Sequence, residues 1–178
     1  QHAVGHLSEE DSWSLFTKFA FAGGRIAKEL EPIGKEIVEK CKRLPLAVKV
    51  LGGLMWSKIS VDEWLLVKKS EIWELPENNV DILPALKLSY DNLTSHLKQC
   101  FAYCCLFPKG DEIEKNLLIE LWMTNGFIPS RGETCLYQRG KEIFNCLVWR
   151  SFFQDVKEVN SMEQTCKMHD LMHDLARF

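Results

Sequence analysis

The sequence predicts a mainly α-helical protein in two parts: a small helical bundle, then further helices closed by a short β-hairpin. Three observations carry that expectation. Apolar residues recur at helical spacing behind capping residues or prolines along most of the chain. The stretch PLAVKVLGGLMW (45–56) is apolar on nearly every face, as a buried central helix is. Near the end the period changes, and SFFQDVKEV and QTCKMHD, flanking NSM, read as two short strands.

The first helix starts at Ser8, an N-cap followed by Glu9, Glu10 and Asp11, and it carries Trp13, Leu15, Phe16 and Phe19. Two glycines in AGGR interrupt it. Pro32 opens a second helix with Ile33, Ile37, Val38 and Cys41 on one side. Pro45 opens the apolar third helix. Ser60-Val61-Asp62-Glu63 starts a fourth, with Trp64, Leu65 and Val67. Four short helices with short connections predict a bundle over residues 1–75. The polar, turn-rich ELPENN marks the boundary, and residues 76–178 form the second part. Helices are expected there over 82–93, 95–106, 114–125 and 134–149, with a turn at Pro108-Lys109-Gly110-Asp111. A last helix begins near His169. Helices closed by a hairpin make the winged-helix pattern.

Composition narrows the function. Of 178 residues, 46% are hydrophobic and 26% charged, which suits an ordered globular chain. A net charge of −3 predicts no nucleic-acid footprint over the whole chain. No apolar run reaches the roughly 18 residues of a membrane span. The start is neither a signal nor a transit peptide and lacks an initiator Met, so a fragment of a longer protein is expected. Seven cysteines, an odd number at low density, point to reduced and mostly buried thiols in a cytosolic setting.

Four kinds of chemistry have partial signatures. His169 and His173 lie four residues apart, the spacing of a zinc hydrolase helix. That chemistry needs a glutamate between them and a third ligand; the acid here is Asp170 and no third ligand is evident, so no metal site is expected. His96, Cys100 and Cys104 form a second stripe, but one straight helix cannot wrap three ligands around an ion, and the same spacing suits a core face. No base accompanies Cys104 as a nucleophile, and an apolar setting raises a thiol pKa. A DNA-reading helix would carry basic and amide side chains; EKNLLIELWMTNGF instead carries Glu114 and Glu120 on a largely apolar remainder. No phosphate-cradling G-x-x-x-x-G-K-[ST] loop is present. The residues alone give a helical scaffold with no complete active site, and no enzyme activity is expected of this chain.

Four stretches, in order, carry a family resemblance: LSEEDSWSLFTKFAF, CKRLPLAVKVLGG, LKLSYDNLTSHLKQCFAYCCLFPKGDEIEKNLLIELWMTNGFI and MHDLMHDLA. Together they resemble the back half of the NB-ARC module of plant intracellular immune receptors of the nucleotide-binding, leucine-rich-repeat class. Trp122 and the CFAYCCLFP form match the coiled-coil-bearing branch. The resemblance spans nearly the whole chain. It implies a four-helix subdomain and a winged-helix subdomain, with P-loop and Walker B segments expected before residue 1.

The resemblance also implies residue roles. Pro45, in the LPLA motif, would lie against the adenine and ribose of ADP, where a rigid ring without an N–H fits. His169, in Met168-His169-Asp170, would reach the β-phosphate as a hydrogen-bond donor. Met168 and Asp170 would belong to the same autoinhibitory switch. The second copy, Met172-His173-Asp174, is expected to serve packing and surface. Arg43 stands where the family usually has glycine, so the pocket rim is expected to differ there. The implied cofactors are ADP and ATP, with Mg only alongside the P-loop domain. The implied mechanism is a switch that closes over ADP and opens on exchange for ATP. The implied partners are the P-loop domain and leucine-rich repeats of the same chain, a pathogen effector or guarded host protein, and further copies on activation, without nucleic acid. The implied location is cytoplasmic, extending to the nucleus or the inner face of the plasma membrane. Two rivals remain: a nucleotide-independent scaffold, motivated by Arg43 and the missing P-loop, and a DNA-binding winged helix.

Overall fold

A computed structural model describes residues 6–74, 84–130, 135–159 and 163–177. The chain divides into two compact units, 1–92 and 93–178.

The first unit contains α1 (Glu9–Ala20), α2 (Glu31–Lys40), α3 (Pro45–Trp56), α4 (Val61–Lys68) and α5 (Pro84–Asp91), with a 3-10 turn at Glu71–Glu74. The start signals read from the sequence act as expected. Ser8 Oγ accepts the Asp11 N–H at 3.0 Å. Ser60 and Glu63 form a reciprocal capping box on α4. There the Ser60 and Ile59 N–H groups, bonded to the Glu63 carboxylate, hold its pKa below the usual range. Pro32 and Pro45 both lie in the first turns of their helices.

α3 is the core of this unit. Val48, Val50, Leu51, Leu54 and Met55 are all fully buried. Burying each such side chain contributes about 1.5–3 kcal/mol. α1 and α5 pack on α3, and α2 packs on α4. Gly52 makes the α1 approach possible: a Cβ there would stand 2.7 Å from Phe19 Cβ and 3.0 Å from the Phe16 carbonyl oxygen. An aromatic layer joins the helices, with Trp13 stacked on Phe16 and Phe16 edge-on to Trp64. Gly34 of α2 lies against both tryptophans.

The expected boundary after residue 75 falls within 75–83, outside the described residues. The division between the compact units falls at Asn92/Leu93, and α5 buries Ala85, Leu86, Leu88 and Ser89 within the first.

The second unit runs α6 (Ser95–Tyr103), a 3-10 turn at Cys104–Leu106, β1 (Ile113–Glu114), α7 (Lys115–Thr124), α8 (Leu136–Trp149), β2 (Gln154–Glu158), β3 (Gln164–Lys167) and α9 (Asp170–Arg177). The expected hairpin is β2–β3; its NSM connection lies outside the described residues. It is part of a three-stranded antiparallel sheet in the order β1-β3-β2. Ile113 pairs with Cys166, and Lys157 pairs with Thr165. A register shift between Gln154 and Lys157 coincides with Asp155 at φ +51°, the signature of a bulge on an exposed edge strand. The fold is thus mainly α with a small sheet, as the sequence predicted.

The second core joins α6, α7 and α8. Trp122 is fully buried and its indole N–H donates to the Cys100 carbonyl at 2.9 Å, tying α7 to α6. Phe101 meets Phe152 edge-on at 4.7 Å, and Phe144 stacks on Phe153. Gly140 lets α8 press on Ile119 of α7.

Candidate functional site

The candidate residues lie at two helix starts, one in each unit. In the first unit, Pro45 is the first residue of α3 and is half-buried. The backbone leading into it is unusual. Lys42 and Arg43 both have left-handed conformation, at φ +51° and +59°. Such backbone costs a side-chain-bearing residue about 1–2 kcal/mol. The preceding segment fastens it: the Leu7 N–H donates to the Arg43 carbonyl at 3.0 Å, and His6 Nδ1–H donates to the Lys42 carbonyl at 2.9 Å. Arg43 thus carries backbone strain that a glycine at this position would not.

In the second unit, Met168, His169 and Asp170 lead from β3 into α9. Met168 is buried, His169 half-buried and Asp170 exposed. His169 is the N-cap of α9. Its carbonyl accepts the His173 N–H at 2.9 Å, and its Nδ1 accepts the Leu171 N–H at 3.2 Å. A ring that accepts at Nδ1 carries its proton on Nε2. The ring is thus oriented by the helix, with its Nε2–H donor at the far side. Asp170 follows in the first turn, where a carboxylate favours the positive end of the helix dipole.

The second Met-His-Asp divides between packing and surface. Met172 and His173 are buried. His173 Nε2–H donates to the Phe107 carbonyl at 2.9 Å. Its Nδ1 is buried and meets no partner among the described residues. Asp174 pairs with Lys109, whose bonded ammonium holds the carboxyl below its usual pKa range. Packing by Met172 and His173 and a surface place for Asp174 match the expectation, and the sequence did not announce the two anchors. Their signal was the helical spacing that puts residues 172, 173, 175 and 176 on one buried face.

Of the second stripe, Cys100 and Cys104 are core, whereas His96 is half-buried with its Nε2 3.2 Å from Thr94 Oγ1. Cys41, Cys100, Cys104 and Cys166 are buried free thiols. Burial pushes Cys41, Cys100 and Cys166 up to about 12, and it also raises Cys104 well above the usual thiol value. Among the described residues no three His, Cys, Asp or Glu side chains could hold a metal ion together. α7 turns Leu118, Ile119 and Trp122 inward and presents Leu117, Glu120 and Thr124 to solvent. Lys115, at its start, donates to Gln164 Oε1 at 2.8 Å and lies over the Phe144 ring. Among the described residues no helix is long and apolar enough to cross a membrane.

With this geometry in view, comparison with known proteins is decisive for the second unit. Residues 106–176 match the disease resistance protein winged-helix domain family. Residues 106–176 are therefore a disease resistance protein winged-helix domain. The similarity extends on both sides of that domain. The chain is 48% identical over 176 residues, 98% of its length, to the putative disease resistance protein RGA1 of Solanum bulbocastanum. It is equally similar to disease resistance protein RGA2 of that species. It is 41% identical over 180 residues to the putative disease resistance RPP13-like protein 1 of Arabidopsis thaliana. The chain spans 18% of the two Solanum relatives and 16% of the Arabidopsis one. In the disease resistance winged-helix domain, His169 thus stands at the junction of the third strand and the closing helix.

Proposed function

We propose that this chain is the regulatory part of an ADP/ATP-dependent switch in a plant immune receptor of the nucleotide-binding, leucine-rich-repeat class. The observation that carries the proposal is the state of His169. Its Nδ1 is committed to capping α9, and its Nε2–H is left as a fixed donor. ADP, when bound, supplies an anionic diphosphate, a ribose and a flat adenine. The residues present fit that group: His169 offers an N–H to phosphate, and Pro45 offers an apolar ring that needs no hydrogen bond. Fixing the donor through the helix cap lowers the entropy lost when it engages an oxygen.

In this reading, His169 contacts the nucleotide in the closed state only. A contact made in one state alone shifts the balance toward that state by its own free energy. Met168 anchors the cap in the core, and Asp170 stabilises the first turn. The P-loop grip, the leucine-rich repeats, effector sensing, assembly on activation and a cytoplasmic location belong to the same proposal. The test is His169→Ala in the full-length parent. Cell death without effector, together with loss of ADP on purification, is the expected result. A silent variant that keeps its ADP would refute the reading.

A further inference from the structure

The closing helix is held by two polar anchors that the first Met-His-Asp does not account for. α9 packs on α6 and on the 3-10 turn at Cys104–Leu106. Its second Met-His-Asp reaches just past that turn. His173 Nε2–H meets the Phe107 carbonyl at 2.9 Å, and Asp174 pairs with Lys109 two residues on. The receiving segment is itself a fixed object. The Phe107 N–H returns to the Cys104 carbonyl, and the Asp111 N–H closes the turn onto the Pro108 carbonyl at 3.2 Å. Gly110, at φ +83°, makes that turn possible.

His173 is a poor choice if packing were its only task. It is only 7% exposed, and its Nδ1 is buried without a partner among the described residues. A leucine would fill similar space without an unsatisfied nitrogen. What the imidazole adds is the Nε2–H bond across 66 positions of sequence. The two anchors lie one turn along from His169, whose carbonyl accepts the His173 N–H. Any motion of His173 therefore acts on the cap through one backbone hydrogen bond.

We propose that His173 and Asp174 form a clamp on the Phe107–Lys109 segment, and that this clamp positions the His169 donor. His173, Asp174 and Lys109 are then positioning residues, and this role rests on the reading of His169 given above. The clamp makes the doubled Met-His-Asp one device: the second copy fixes the helix and the first presents the donor.

The test uses the full-length parent with Asp174→Lys, the exchanged pair Lys109→Asp/Asp174→Lys, His173→Leu, His173→Gln and His169→Ala. Two quantities are read in each: hydrogen exchange of the α9 amides, and release of radiolabelled ADP into excess unlabelled ADP. Asp174→Lys should speed α9 exchange roughly two- to fivefold, the scale of an exposed ion pair. The exchanged pair should restore it. His173→Leu, which strands the Phe107 carbonyl, should speed exchange by about tenfold or more. His173→Gln keeps an N–H at the same reach and should recover part of that loss. ADP release should rise and fall with α9 exchange across the series. Unchanged α9 exchange in Asp174→Lys and His173→Leu overturns the clamp, whatever the nucleotide does. Faster exchange with wild-type ADP release, while His169→Ala releases faster, overturns the positioning role and leaves His169 standing. Wild-type release from His169→Ala itself overturns both.

Discussion

Arg43 shows how much a single residue can reveal. Its φ of +59° is a conformation that glycine adopts freely and arginine does not. Its side chain is exposed, so little packing opposes a change. Arg43→Gly should therefore raise stability by about 0.5–1 kcal/mol, the strain relieved less the extra chain entropy of glycine. Urea denaturation measures it, and an unchanged or lower midpoint would show that Arg43 is not strained. The thiols give a second test at this scale. Cys135 is exposed, while Cys41, Cys100, Cys104 and Cys166 are buried with raised pKa values. At pH 8, iodoacetamide should label Cys135 in the folded protein and leave those four unlabelled until denaturant is added. Rapid labelling of Cys104 in the native state would contradict that core. That Arg43 departs from the glycine the resemblance implies before LPLA was noted from the sequence. The local backbone, two successive left-handed residues fastened by His6 and Leu7, was not legible, because those bonds join residues some 36 positions apart.

The elements divide by how local their causes are. α1, α3 and α4 were legible because caps, prolines and apolar period are written into consecutive residues. β1 was not. It is two residues long and exists only because Ile113 and Glu114 pair with Cys166 and Thr165 of β3. α9 was foreseen as a helix, but its clamp depends on where the Phe107 carbonyl lies. Close helix contacts make the clearest prediction here. Gly52→Ala gains about 1 kcal/mol of helix propensity yet forces a Cβ into Phe19 and the Phe16 backbone. Overpacking of that kind costs typically about 1–3 kcal/mol, and more where backbone must move. Thermal unfolding should show a net loss, and an equal or higher midpoint would mean that α1 and α3 are not held so close. The Lys109–Asp174 pair adds a pH dependence. The Asp174 carboxyl is held below its unfolded pKa, so its contribution is present above that value and is lost as pH falls through the folded one. Protection of α9 amides should accordingly fall below about pH 4, and the Asp174→Asn variant should lack that step.

At the scale of the whole chain, the sequence supplied the fold class, while the place of α5 had to come from the structure. An amphipathic segment such as α5 shows that one face is buried, not which core receives it. Its Ala85, Leu86 and Leu88 belong to the first unit. A fragment ending at Asn92 should unfold cooperatively, whereas one ending at residue 75 should bind a hydrophobic dye through the uncovered face of α3. Identical melting of the two would contradict that assignment. The switch reading belongs to this scale as well, and its weight rests on separating two jobs that His169 could do. An asparagine at position 169 can still cap α9 but cannot carry an N–H out to the position of Nε2. The decisive measurement is ADP release from the full-length parent bearing His169→Asn, read beside hydrogen exchange of α9. The expected result is an intact, protected helix with ADP released about tenfold faster or more, the loss of one charge-assisted hydrogen bond. A protected helix that keeps ADP as long as the wild type would reduce His169 to a helix cap.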